Sequence, residues 1–241
     1  MKEAILSCSG GLDSTSLLLN LLANEYKVHI VNFDYGSKQN KFELQKLKNN
    51  LDYLRSKGFE LDYQTIDISD AMRGVRSSLT RDEIETPKEE YNRQNQEVTF
   101  VPNRNAIFSA IIFAKALTIY EDTGNDVSIC LGIHNNEVSV YPDCTKKWAE
   151  QIFAAFCEGN WHSEHIHQYV PYVDVEKDAV LADAINSCNK LGLDINIIMK
   201  NTLSCYSPVE GKACGKCATC RERLKVFEMN GLKDPAEYVE E

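Results

Sequence analysis

The chain contains no G-x-x-x-x-G-K-[ST] run and no G-x-G-x-x-G fingerprint. Their absence argues against a P-loop kinase or GTPase and against a dinucleotide site of the Rossmann type. No window approaches the ~20 consecutive apolar residues of a membrane span. The N-terminal MKEAILSCSG lacks the apolar core, roughly 7–15 residues long, of a secretory leader. Positive charge is also scarce, with 26 Lys and Arg against 36 Asp and Glu, a net charge of −10. Phosphate backbones are gripped by clustered cations, so a general nucleic-acid face is not expected. Internal repeats and low-complexity tracts are missing too. These absences predict a cytoplasmic protein with no membrane partner that acts on small molecules. Thiols stay reduced in that compartment, so the nine cysteines are expected in packing, catalysis or metal binding rather than in disulfides.

What is present is an alternation of apolar runs and amphipathic stretches. Strand patterns occur at 4–8 (AILSC), 28–35 (VHIVNFDY), 61–68 (LDYQTIDI), 127–133 (VSICLGI) and 165–173 (HIHQYVPYV). Helical spacing occurs at 15–25, 39–57, 103–120, 146–158 and 177–191. Alternation of this kind predicts an α/β fold, a parallel sheet with helices on both faces. The polar stretch Met72–Gln96 has no periodicity and is expected to be a lid or a partly disordered loop. From Asn201 the composition shifts to Cys, Gly, Lys and Ser. The expected division is a domain over 1–200 and a C-terminal segment over 201–241.

The turn Ser9-Gly10-Gly11-Leu12-Asp13-Ser14-Thr15 joins the first strand to the first helix. Bare backbone at such a junction lets N–H groups and the helix dipole approach a phosphate. Ser9, Ser14 and Thr15 add hydroxyl donors. An acid in a phosphate site usually holds magnesium, which assigns Asp13 to Mg2+. The plainer alternative is a tight turn with a serine cap.

Cys205, Cys214, Cys217 and Cys220 form a second constellation, with a C-x2-C-x2-C run at its end. Four thiolates suit one tetrahedral Zn2+ with no open position, hence a structural site. An iron–sulfur cluster is the competing occupant of such a run. Metal binding would then hold the C-terminal segment in place.

Other residues carry weaker signals. Lys177, at a helix start, is either a buried charge stabiliser or a surface residue. Cys144 in YPDC is either a nucleophile or a small apolar residue. His162, His165 and His167 suggest a metal box, yet no acidic or thiol partner is evident in sequence, so strand packing is preferred. Cys8, Cys130 and Cys188 fall in apolar patterns and belong to the core.

The glycine turn resembles the SGGxDS loop of ATP pyrophosphatases. Together with FDYG (33–36), SSLTRD (77–82), TFVPNRN (99–105), YPDC (141–144) and TLSCY…CGKCATC, it resembles the 7-cyano-7-deazaguanine synthase family almost end to end. The resemblance implies a PP-loop, adenine nucleotide alpha-hydrolase type of sheet. It implies adenylation of 7-carboxy-7-deazaguanine by ATP, capture by ammonia, and a second activation that dehydrates the amide to the nitrile. Ser9, Gly10, Gly11, Leu12, Asp13, Ser14, Thr15 and Asn105 would bind ATP, with Asp13, Arg104 and Lys177 catalytic and the four cysteines on Zn2+. Arg81 would sit in the lid, and relatives imply a homodimer. The chain departs from the family at Ser37, Lys38, Gln39 and Phe42, where Gln-Arg-His and a Glu are usual. It departs again at Asn103, Ser139-Val140 and Thr145. These departures admit a second expectation: the adenylate is joined to another amine, on a protein or nucleic acid, as in antiviral defence systems that use relatives. A tRNA-modifying sulfurtransferase and a catalytically silent zinc scaffold are further alternatives.

Overall fold

The computed structural model describes residues 2–88, 92–134 and 141–240. Five parallel strands, β1 (Lys2–Ser7), β2 (Tyr26–Asp34), β3 (Asp62–Asp67), β4 (Val127–Leu131) and β5 (Ile166–Tyr169), form one sheet in the order β3-β2-β1-β4-β5. The helices are α1 (Leu12–Ala23), α2 (Asn40–Ser56), α3 (Arg93–Thr99), α4 (Arg104–Thr123), α5 (Lys146–Glu158), α6 (Lys177–Leu191), α7 (Ile195–Lys200) and α8 (Ala218–Met229). No described helix is long and apolar enough to cross a membrane.

Side chains alternate along each central strand and supply two cores. Ala4, Leu6, Val28, Ile30 and Cys130 join α1, α2, α6 and α8 on one face. Ile5, Val31, Phe33, Ile129 and Ile166 join α4 and α5 on the other. Burial on both faces explains the apolar runs of the central strands β1, β2 and β4. Leu17, Leu18, Leu19 and Leu21 are all fully buried, because α1 is pressed between the sheet and α6. Cys8, Cys130 and Cys188 are buried in the first core, as expected.

Three differences from the sequence reading have physical causes. β5 ends at Tyr169 because Pro171 has no N–H to continue a ladder. α7 is too short to show a period, and its start is set by Asp194, whose carboxylate accepts from the Asn196 N–H at 2.8 Å. α8 was hidden in the cysteine-rich composition, yet its Val226 and Phe227 belong to the main core.

The polar stretch after Met72 is also more ordered than expected. Met72 and Leu79 pack with Tyr35 and Val101 in a small core. The Lys38 N–H donates to the Leu79 carbonyl at 2.9 Å and the Ser78 N–H to the Val98 carbonyl at 2.9 Å. Among its described residues, this stretch is a packed rim rather than a solvated loop.

Candidate active site

The strand order reverses at β1. The chain leaves it to one side for β2 and returns on the other side to β4. Open α/β sheets take ligands at such a switch point, beyond the carboxyl ends of the strands. Here a cavity of about 260 Å³ opens between the turn after β1 and residues 132–134 after β4. The two turns touch: a Cβ on Gly132 would lie 3.0 Å from the Ser14 backbone nitrogen. Glycine at 132 is therefore imposed by a close approach.

Gly10 has φ +92°, and a Cβ there would stand 2.5 Å from the Glu43 carbonyl oxygen of α2. Both facts require glycine. Gly11, the N-cap of α1, has an ordinary φ of −77°, and it lines the cavity together with Ser9, Leu12, Asp13 and Ser14. The Ser14 hydroxyl organises the turn. It accepts from the Ser9 N–H at 3.2 Å, lies 3.2 Å from the Ser9 hydroxyl and donates to the Gly11 carbonyl at 3.4 Å. Gly10 and Thr15 are not in the cavity wall. Thr15 is buried within α1, and Gly10 serves the loop through its backbone.

The first residue of α6, Lys177, reaches across to the turn. Its Nζ lies 2.6 Å from Asp13 Oδ2 and 3.8 Å from a Glu222 carboxylate oxygen of α8. Burial opposes the lysine charge, but Asp13 and Glu222 outweigh it and raise its pKa. The Lys177 side chain is 15% exposed, which sets aside the freely solvated alternative. The other Asp13 oxygen, Oδ1, is buried with no protein partner. A buried carboxylate oxygen aimed at a phosphate site is suited to a divalent cation.

Arg104 opens α4 behind Asn103, which takes the left-handed conformation at φ 59°. The Arg104 guanidinium donates to the Tyr35 hydroxyl at 3.4 Å and stands over the Tyr35 ring at 5.6 Å. Burial works against its charge, and Tyr35 and the Asp143 carboxylate hold it ionised. Asn105 also lines the cavity, but its amide donates to the Asp143 carbonyl at 3.3 Å and fastens the 142–144 turn.

Residues outside the expected site set also line the wall, among them Tyr35, Gln39, Glu43 and His134. Burial, with Lys177 nearby, pushes the His134 pKa down to about 4, so the ring is neutral. Glu43 follows Gln39 by one helical turn, and that spacing was the available signal. Without the sheet, nothing in the sequence shows which face of α2 meets the glycine turn.

The sulfurs of Cys205, Cys214, Cys217 and Cys220 all lie within 4.8 Å of one another. Their loop is pre-shaped: the Ser207 and Cys214 N–H groups donate to Cys205 Sγ at 3.3 and 3.2 Å, and the Lys216 and Cys217 N–H groups to Cys214 Sγ at 3.4 and 3.3 Å. Backbone donors of this kind stabilise thiolates, and four soft donors on one centre can hold a metal ion. Phe42 packs on this loop, close enough that a Cβ added at Gly211 would lie 3.3 Å from its ring.

Other expectations resolve differently. Arg81 donates to the Gly74 carbonyl at 2.7 Å and pairs with Glu83 at 3.1 Å; it lies outside the cavity wall. Cys144 does line the cavity, but burial and Asp143 push its thiol up to about 12. Thr145 caps α5, its hydroxyl accepting from the Trp148 N–H at 3.2 Å. The histidines do have an acidic partner, contrary to expectation. Asp126, distant in sequence, lies 2.9 Å from His165 Nδ1 and 3.0 Å from His167 Nε2. Ser139 and Val140 lie outside the described residues.

Comparison with known proteins gives consistent results. The family described as "Queuosine biosynthesis protein QueC" matches residues 3–231. A "7-cyano-7-deazaguanine synthase 1" of Colwellia psychrerythraea is 32% identical, covering 98% of this chain and 99% of that protein. A 7-cyano-7-deazaguanine synthase of Marinobacter nauticus is 35% identical, over 95% of this chain and 94% of the relative. Among solved structures, a 4-thiouridine synthetase in complex with RNA and ATP aligns with a TM-score of 0.45 and 14% identity, over 94% of this chain and 50% of that one.

Proposed function

The chain belongs to the queuosine biosynthesis protein QueC family, and we propose that it adenylates 7-carboxy-7-deazaguanine with ATP and, with ammonia, carries the product through the amide to 7-cyano-7-deazaguanine. The observation that carries this reading is the meeting of three features at one switch point. These are the glycine turn of α1, the Asp13–Lys177 pair and the half-buried Arg104.

The backbone N–H groups of the turn, with the positive end of α1, receive the ATP phosphates. Asp13 would hold a magnesium ion there through its unpaired Oδ1, and that ion would supply positive charge to the phosphates. Lys177 stands 2.6 Å from Asp13, where it neutralises the charge that develops as pyrophosphate departs. Such preorganised charge is the main device available to an adenylating enzyme. Arg104, stacked over Tyr35, offers a fork of donors to a carboxylate or phosphate. The four cysteines would hold zinc as a structural ion.

The competing chemistries find less support. A sulfurtransferase needs an activated thiol outside the metal set. Yet burial pushes the thiols nearest the glycine turn up, Cys8 to about 11 and Cys144 to about 12, which keeps them protonated. One departure that favoured a macromolecular amine also loses weight: Thr145 caps a helix.

The test is mass spectrometry of a reaction containing 7-carboxy-7-deazaguanine, ATP, magnesium and an ammonium salt. Nitrile with AMP and pyrophosphate is expected. Adenylated acid or amide without nitrile would overturn the nitrile assignment and direct the search to another amine.

A further inference from the structure

Adenylation makes no use of one stretch of the cavity wall. There α2 begins, and Gln39 and Glu43 sit one turn apart, joined by the Glu43 N–H donating to the Gln39 carbonyl at 3.1 Å. Gln39 is 2% exposed, and its side-chain Oε1 has no partner. Burial pushes the Glu43 carboxyl up to about 7 although Arg104 pulls it down. Both residues line a cavity whose charged walls include Arg104 and Lys177. An amide carbonyl left without a donor inside a protein is destabilising, so a ligand that carries N–H groups is called for.

We propose that Gln39 and Glu43 form the ammonium subsite of this enzyme, with Glu43 taking the proton that frees the nucleophile. The proposal rests on the adenylation reading. Ammonium gives one proton to the Glu43 carboxylate. The freed nitrogen lone pair forms the C–N bond at the acyl carbon, and the C–O bond to AMP breaks with its electron pair leaving on the phosphate. A second nitrogen proton departs with the AMP phosphate, and Glu43 returns its proton to solvent. Gln39 Oε1 accepts a hydrogen from the ammonium throughout and orients it.

The experiment compares ammonium chloride with hydroxylamine as nucleophiles toward the adenylate made from 7-carboxy-7-deazaguanine and ATP. Hydroxylamine is a neutral base near neutral pH and arrives with its lone pair free, whereas ammonium must first lose a proton. In Glu43→Gln the ratio of ammonium to hydroxylamine rates is expected to fall about 10²-fold, and Glu43→Asp is expected to recover part of it. Gln39→Ala is expected to raise KM for ammonium more than it lowers kcat. An unchanged ratio in Glu43→Gln, with acid-dependent pyrophosphate exchange still measurable, overturns the subsite alone. If the wild-type chain shows no acid-dependent pyrophosphate exchange, the adenylation reading fails and takes the subsite with it.

Discussion

The Leu203 N–H donates to the Gly10 carbonyl at 3.1 Å, so the segment that carries the cysteines also braces the glycine turn. Two residues later the chain reaches Cys205, and the whole loop is anchored through its sulfurs. On the proposed function, a metal held by the four cysteines would act on nucleotide binding from a distance, by fixing the loop proposed to receive phosphate.

Metal removal is expected to weaken ATP binding as well as stability. In zinc-finger peptides such a site contributes an apparent ~10–16 kcal/mol at neutral pH. Cys217→Ser, or a strong chelator, should lower the melting temperature sharply and raise the Kd for ATP. Metal analysis alongside calorimetry checks this. A chelated protein with an unchanged ATP Kd would contradict it.

The two glycines of the turn should behave differently. Gly10→Ala forces a side chain into a positive φ and against the Glu43 carbonyl, at a cost of at least about 1–2 kcal/mol. Gly11→Ala meets neither obstacle and should remain within about 1 kcal/mol of wild type in stability. Urea unfolding of the two variants separates them.

Lys177→Met is expected to slow acid-dependent pyrophosphate release about 10²-fold, the scale of losing one preorganised charge in an active site. Cys144→Ser, by contrast, should keep most of the activity, because a thiol held up at about 12 is not a nucleophile. Steady-state kinetics of the two variants in one assay tests both roles.

The buried pair Arg223–Asp234 gives a prediction in pH. Arg223 Nε lies 2.7 Å from Asp234 Oδ2, and Arg223 also donates to Thr202 and the Met199 carbonyl. Burial raises the Asp234 pKa, but Arg223 and the Tyr238 hydroxyl outweigh it and hold the carboxyl below its ordinary 3.8. The ionised form is the one the native state favours. Its contribution is therefore complete above the unfolded value, starts to fall as pH drops through 3.8, and is lost below the native value. Asp234→Ala should cost about 3–5 kcal/mol at neutral pH, since it strands a buried guanidinium. It should also flatten the acid limb of stability, as chemical denaturation at several pH values would show.

Much of this protein is legible in its sequence because local chemistry fixes it. The helices Lys146–Glu158 and Lys177–Leu191 match the sequence reading residue for residue. One is closed by a threonine cap and a glycine, the other by a glycine in the left-handed region. Runs buried on both faces announce the parallel sheet, and glycines, cysteines and an acid at short spacing announce the two candidate sites. Tertiary structure alone decided which faces meet. Asp126 finds His165 and His167 only because β4 and β5 pair in register. Lys177 finds Asp13 only because α6 packs on α1. Glu43 enters the cavity only because the glycine turn closes on α2. Spacing along the chain encodes local geometry, whereas contacts between distant segments depend on how whole faces are buried together, and no short motif records that.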